Sequence, residues 1–298
     1  MSVAQAIFPI FALILLGYGL RLWFRLSADF WPQLDRLIYY VFFPALLFHS
    51  LSGFQIDLGA ATPMLEVAIL YMLAGMILGY VAKYLFHAPP KVFAASFQSS
   101  FRFNSYVGLA VAGSIHGQDG LAAIGLLMGF LVPMANVASV WALARHGEGH
   151  WLKEILFNPL IMATAGGISF SLAGLHLPDL LQRPIALLSQ ASLPMGLIAV
   201  GAGLKLQSLN HHRGTLWYGV IVKLLVLPAI AWGLASAFGL TGVYFHIAVL
   251  MAALPVSTVS YVLAMRMGGD DSISAAQVMV TTLLAMVTLP MWLLLMGF

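Results

Sequence analysis

The sequence predicts an all-α polytopic membrane protein, ten transmembrane helices set as two inverted five-helix repeats. Three observations predict it. Hydrophobic residues make up 61% of the chain and charged residues 8%, and a mean hydropathy of +0.96 leaves too little polar surface to coat a water-soluble globule. Apolar runs of membrane-spanning length follow one another along all 298 residues, leaving no room for a sizeable soluble domain. Short motifs recur in the second half at a nearly constant offset.

Hydropathy places the spans at about 3–24, 33–53, 62–86, 91–115, 120–145, 154–175, 183–206, 213–238, 242–267 and 272–297. The first run is no signal peptide, because it lacks a basic leader and carries Arg21 and Arg25 on its far side. The third holds Gly75 and Gly79, a small-xxx-small pair suited to close helix packing. The second, seventh, eighth and tenth each contain a proline (Pro44, Pro194, Pro228 and Pro290), read singly as a kink. The fourth and ninth are broken, and they are treated below.

Arg21, Arg25, Arg36, Lys83, Lys91, Arg145, Lys153, Lys205 and Arg213 fall at the first, third, fifth and seventh connections, against Arg183 and Arg266 elsewhere. The positive-inside rule then sets those connections in the cytoplasm and both termini outside, in the periplasm of a bacterial inner membrane. Five spans per half is an odd number, so a duplicated second half enters the membrane upside down. Pro9, Gly17 and Pro44 recur as Pro159, Gly167 and Pro194; Ser105-Tyr106-Val107 recurs as Ser260-Tyr261-Val262; Val132-Pro133-Met134 resembles Leu289-Pro290-Met291. The expected organisation is a first repeat over 1–145, a short cytoplasmic loop over 146–153 and an inverted second repeat over 154–298.

The net charge of +3 is spread one or two residues per loop and forms no stripe for nucleic acid. Cysteine is absent, which excludes disulfides and thiol chemistry, and the histidines show no metal-ligand clustering. No His-Glu-x-x-His, paired membrane aspartates, Gly-x-Ser-x-Gly or phosphate-binding loop is present, so neither an enzyme nor a resident cofactor is expected.

The breaks in spans four and nine, Phe101 to Gly108 and Leu254 to Val262, point to a midplane substrate site, because unwound backbone survives in a membrane only where it is buried or lines a wet cavity. Arg102 lies deep in span four and needs an anion, a structural ion pair or a snorkelling route to water. Asn104 and Ser105 offer an amide and a hydroxyl beside the first break, to substrate or to a neighbouring helix. Pro255 removes a donor from span nine, where Ser257, Thr258 and Ser260 supply hydroxyls. If the two breaks cross, the N-terminal ends of their second halves turn N–H groups and positive dipole ends on one point, a setting for a carboxylate. Glu66 in span three and Lys223 in span eight are the other intramembrane ionisable groups, candidates for proton coupling or fixed charges at the interface and in the core. His49 and His246 are placed at the outer boundary.

Arg102-Phe103-Asn104-Ser105-Tyr106-Val107-Gly108, Leu254-Pro255 with Tyr261-Val262-Leu263-Ala264 and Gly268-Gly269-Asp270, and the closing Thr282-Leu283-Leu284 to Leu289-Pro290 resemble the auxin efflux carrier family along the whole chain. The resemblance implies broken crossover helices four and nine, an elevator motion like that of sodium/proton antiporters, a scaffold of helices one, two, six and seven, and a homodimer. It maps the crossover asparagine onto Asn104 and the second crossover proline onto Pro255. Plant members also carry a proline at the first crossing, where this chain has none between Pro90 and Pro133. The long cytoplasmic loop of the plant exporters is missing too, which turns the expected substrate from auxin to malonate- or malate-like carboxylates. The substrate-site expectation therefore comprises Arg102, Asn104, Ser105, Tyr106, Gly108, Pro255, Ser257, Thr258, Ser260 and Tyr261, in a secondary transporter of organic anions. The alternatives are a sodium-coupled symporter of the bile-acid type, and a channel or sensor on the same fold.

Overall fold

The computed structural model describes residues 3–24, 29–52, 58–143, 159–175, 177–204 and 212–298, among which there is no strand. Each expected span falls on helix over most of its described part, spans four and nine being interrupted at residues 101–104 and 254–258. The helices are α1 (Val3–Trp23), α2 (Phe30–Ser52), α3 (Leu58–Leu85), α4 (Pro90–Phe97), α5 (Ser105–Leu143), α6 (Pro159–Leu172), α7 (Asp179–Gly203), α8 (Arg213–Ala237), α9 (Gly242–Ala253), α10 (Val259–Arg266) and α11 (Asp271–Leu295). Six stretches among them are long and apolar enough to cross a membrane, and the shorter Ile7–Trp23, Met162–Leu172 and Gly242–Ala253 are equally apolar in character. The expected 146–153 loop lies outside the described residues.

The long helix α5 is two limbs. Gly117 has φ 56° and ψ −134°, a backbone that favours glycine. A Cβ on Gly120 would stand 2.2 Å from the Ala112 carbonyl oxygen, whereas eight residues of unbroken helix span about 12 Å, so the chain reverses at Gly117. Sequence-expected spans four and five are the two sides of that reversal.

Helices α1 and α2 pack on α7 and α6, and α3, α8 and α9 pack together with α4, α5, α10 and α11 beside them. Within the first group the backbones of α1 and α7 touch. A Cβ on Gly17 would lie 2.0 Å from the Ile198 carbonyl oxygen, and one on Gly201 only 1.8 Å from that of Ile14. Small residues are what let membrane helices approach so closely.

The prolines are accommodated individually. A proline inside a helix orphans the carbonyl four residues earlier. For Pro228 that carbonyl is Leu224, in a π-helical turn over Val222–Val226, and the Trp292 indole N–H donates to it at 2.9 Å. Pro44 likewise follows a π-helical turn, Ile38–Phe42. At the end of α10, the Asp270 N–H donates to the Lys91 carbonyl at 3.1 Å, so the ninth connection shares one end of the molecule with the third. Arg266, set apart in the sequence count, thus joins the basic majority.

Candidate functional site

Both expected breaks exist, and they meet. Helix α4 tightens into a 3-10 turn over Gln98–Ser100, the chain unwinds through Phe101–Asn104, and α5 begins at Ser105. In the second half α9 ends at Ala253 and α10 begins at Val259. The Asn104 backbone N–H donates to the Pro255 carbonyl at 2.8 Å, and the Val256 N–H donates to Thr281 Oγ1 at 3.1 Å. The first break's N–H is therefore satisfied by the second break, and the second's by a hydroxyl of α11, which is what hydrocarbon surroundings demand. Gly75 and Gly79 pack against this construction: a Cβ on either would lie 3.0 Å from a backbone carbonyl, that of Ser100 or Phe97. The glycine pair read as general packing in fact backs the first break.

Asn104 differs from its expected role. It is 1% exposed, and its Oδ1 accepts from the N–H groups of Tyr106 at 3.1 Å and Val107 at 3.3 Å, capping the first half-helix. Ser257 Oγ accepts from Val259 N–H at 3.3 Å in the second. The half-helix ends that were expected to present open N–H groups are thus served by side chains of the breaks themselves. The Asn104 amide nitrogen is buried without a partner.

A cavity of about 860 Å³ opens beside the crossing, between α1, α2 and α7 on one side and the breaks, α5 and α11 on the other. Of the expected site residues, Arg102, Ser105, Tyr106, Ser257, Thr258 and Tyr261 line it, while Asn104, Gly108, Pro255 and Ser260 stand behind it. Gly108 packs tightly there, since a Cβ would stand 2.6 Å from Leu254 Cδ1 and displace that side chain. Ser260 is buried, its hydroxyl unpartnered, and its carbonyl accepts from Gln98 Nε2 at 2.9 Å. Tyr106 and Tyr261, the matching tyrosines of the two repeated triplets, both face the cavity.

Arg102 is 6% exposed. Its Nη1 donates to Gln98 Oε1 at 3.2 Å and its Nη2 donates to Asn136 Oδ1. Both acceptors are neutral, so the guanidinium is oriented but its charge is not balanced by any carboxylate among the described residues. Of the two coupling candidates, Glu66 is exposed and Lys223 fully buried, its ammonium donating to the Ala252 carbonyl at 2.9 Å, and neither lines the cavity. Lys223 instead caps the end of α9, where helix carbonyls run out of partners. His246 pairs with His116, ring nitrogens 2.9 Å apart.

Sequence reasoning missed Asp35, Tyr39, Asn136 and Arg21, all cavity-lining, and Gln98 beneath Arg102. Gln98 was within reach: it precedes Arg102 by four residues, the spacing that lets two helical side chains meet. Asn136, an amide within an apolar run, was the other available signal.

A family model described as a membrane transport protein matches residues 2–144 and 144–293. The chain belongs to the auxin efflux carrier family. It is similar to an uncharacterized transporter of Methanothermobacter thermautotrophicus, 25% identical across 98% of both chains. A protein of Rhizobium meliloti named for malonate transport is 26% identical over 96% of this chain and 93% of its own. An Oryza sativa protein named as an auxin efflux carrier component is 31% identical over 48% of this chain and 27% of its own length. Membership of this family and the run of apolar helices make the chain an integral membrane transporter and not an enzyme.

Proposed function

We propose that this transporter carries small organic anions of the malonate or malate kind by alternating access at the crossover cavity. One observation carries the reading: a buried arginine, held by two neutral oxygens, turns an unbalanced positive charge on a cavity large enough for such a ligand. A cation in that position is costly without an anion or water to receive it. Similarity to a relative named for malonate transport supports the substrate class.

The same reading includes an inverted repeat. A shift of 150 residues carries the Gly17–Ile198 contact of α1 and α7 onto Gly167 and Phe48 of α6 and α2, and a Cβ on Gly167 would lie 3.3 Å from the Phe48 carbonyl oxygen. The two closest helix pairs of the first group are thus related as copies. In this reading α1, α2, α6 and α7 are the fixed scaffold of a homodimer in a bacterial inner membrane, with both termini periplasmic. The remaining helices slide as an elevator and carry the breaks with them. Movement of protons with the anion belongs to the same proposal.

The test is uptake and counterflow of labelled malonate in proteoliposomes in sodium-free buffer, comparing the wild type with Arg102→Gln. Saturable counterflow is expected from the wild type, with at least about tenfold weaker apparent affinity in the variant, equivalent to about 1.4 kcal/mol. Thermal stability should not fall, since the substitution removes a buried unbalanced charge. An unchanged half-saturation would make Arg102 structural and remove the anion assignment.

A further inference from the structure

Among the described residues the cavity holds one carboxylate, and nothing in the expected coupling scheme uses it. Asp35 lines the cavity from the first turns of α2 and is exposed to it. No ion pair engages it among the described residues.

The charged and titratable groups around Asp35 are few among the described residues. From α1 comes Arg21, whose Nη1 is committed to the carbonyls of Ala202 at 2.7 Å and Leu204 at 3.2 Å, at the end of α7. On α2 itself Arg36 is the adjacent residue, and side chains at adjacent helical positions do not face each other. Tyr39 and Tyr40 lie further along the same helix. The first break contributes Arg102 and Tyr106, and α10 contributes Tyr261. The cavity walls from α7, the second limb of α5 and α11 carry no titratable group. Asp35 and Arg102 therefore share one cavity, and neither neutralises the other through an ion pair.

An anion arriving at Arg102 brings a second negative charge into a site already holding the Asp35 carboxylate. Like charges in a poorly screened site suppress each other's ionisation, so the bound anion favours protonated Asp35. Linkage makes this reciprocal: a proton on Asp35 favours the anion by the same factor. We propose that Asp35 is the proton-carrying group of the cavity, so that the anion and one proton occupy it together. The proton passes from solution to an Asp35 carboxylate oxygen as the anion binds, and leaves with it when the cavity opens to the other side. The proposal rests on the anion reading above, and it moves coupling from Glu66 and Lys223 to a residue in the cavity itself.

The experiment measures malonate affinity and proton uptake in weak buffer for purified wild type, Asp35→Asn and Asp35→Glu, from mildly acidic to mildly alkaline conditions. Malonate's own ionisation is common to all three, so differences among them belong to residue 35. Wild type should lose about tenfold in affinity towards the alkaline end, within the usual range of coupling between sites. It should also take up close to one proton per malonate beyond what malonate itself binds. Asp35→Asn should bind tightly at alkaline pH and take up no extra proton, and Asp35→Glu should restore both behaviours. Wild-type binding without proton uptake overturns the proposal whether or not the variants fold. So does an Asn variant that keeps the wild-type pH response. If wild type binds malonate with neither pH dependence nor proton uptake, the anion reading survives and Asp35 is lost; if it binds no malonate, succinate or malate, the anion reading falls and this proposal with it.

Discussion

Replacing Asn104 separates two roles that one side chain could play at the first break. Its Oδ1 holds two buried N–H groups, those of Tyr106 and Val107, while its amide nitrogen has no partner. Asn104→Ala removes the oxygen, and loss of such a cap costs about 0.5–2 kcal/mol. Two N–H groups left without acceptors add to this, and removal of the unpartnered Nδ2 offsets part of it, since each buried unsatisfied group costs about 1–3 kcal/mol. The net expectation is about 1–2 kcal/mol of lost stability. Asn104→Asp keeps the acceptor, deletes the unpartnered donor and puts negative charge at a helix N-terminus, where it is favourable by about 0.3–1 kcal/mol. It should therefore melt above Asn104→Ala in detergent, with the cost of burying a carboxylate holding it no higher than the wild type. Because it stands directly behind an anion cavity, the same variant should bind malonate more weakly than wild type. Thermal unfolding followed by intrinsic fluorescence, together with malonate titration, reads both effects. If Asn104→Ala melts with the wild type, or Asn104→Asp melts as low as Asn104→Ala, the cap is not what holds the break.

Two further outcomes follow from local geometry. Trp292→Phe strands the Leu224 carbonyl that Pro228 leaves without a helical donor, and should cost about 1–3 kcal/mol. Adding Pro228→Ala restores an N–H to that carbonyl, so a double-mutant cycle by thermal unfolding should show recovery where additivity predicts further loss. Asp270 caps α11 outside the spanning segments: burial alone would raise its carboxyl, but hydrogen bonds from Ser272 and Ile273 outweigh this and hold it below its ordinary value of 3.8. A depressed folded-state pKa gives stability that is complete above the ordinary value and is lost as pH falls through the lower one. Asp270→Asn should therefore melt below wild type at neutral pH, and the gap should close in strong acid; a constant gap would assign the cap no ionic character.

Hydropathy determined the membrane setting, the number and order of apolar spans and the position of both breaks, because transfer from water to hydrocarbon is nearly additive along the chain and every interrupted helix shows as polar or proline-bearing residues in an apolar run. Arg102 stood out for the same reason, since a charge in a spanning segment is costly wherever its neighbours are. What each polar atom does was decided only by the tertiary structure. Asn104 reads as a ligand residue in sequence, yet its oxygen closes a cap two and three residues away while its backbone N–H meets Pro255, 151 positions along the chain. Lys223 reads as a titrating group and serves as the cap of α9. Asp35 reads as an ordinary charge near the start of a span, and it becomes the cavity's acid only because α2 packs across from the first break. Local transfer energies are written residue by residue, but pairing and cavity formation depend on which distant helices touch, and no hydropathy profile carries that.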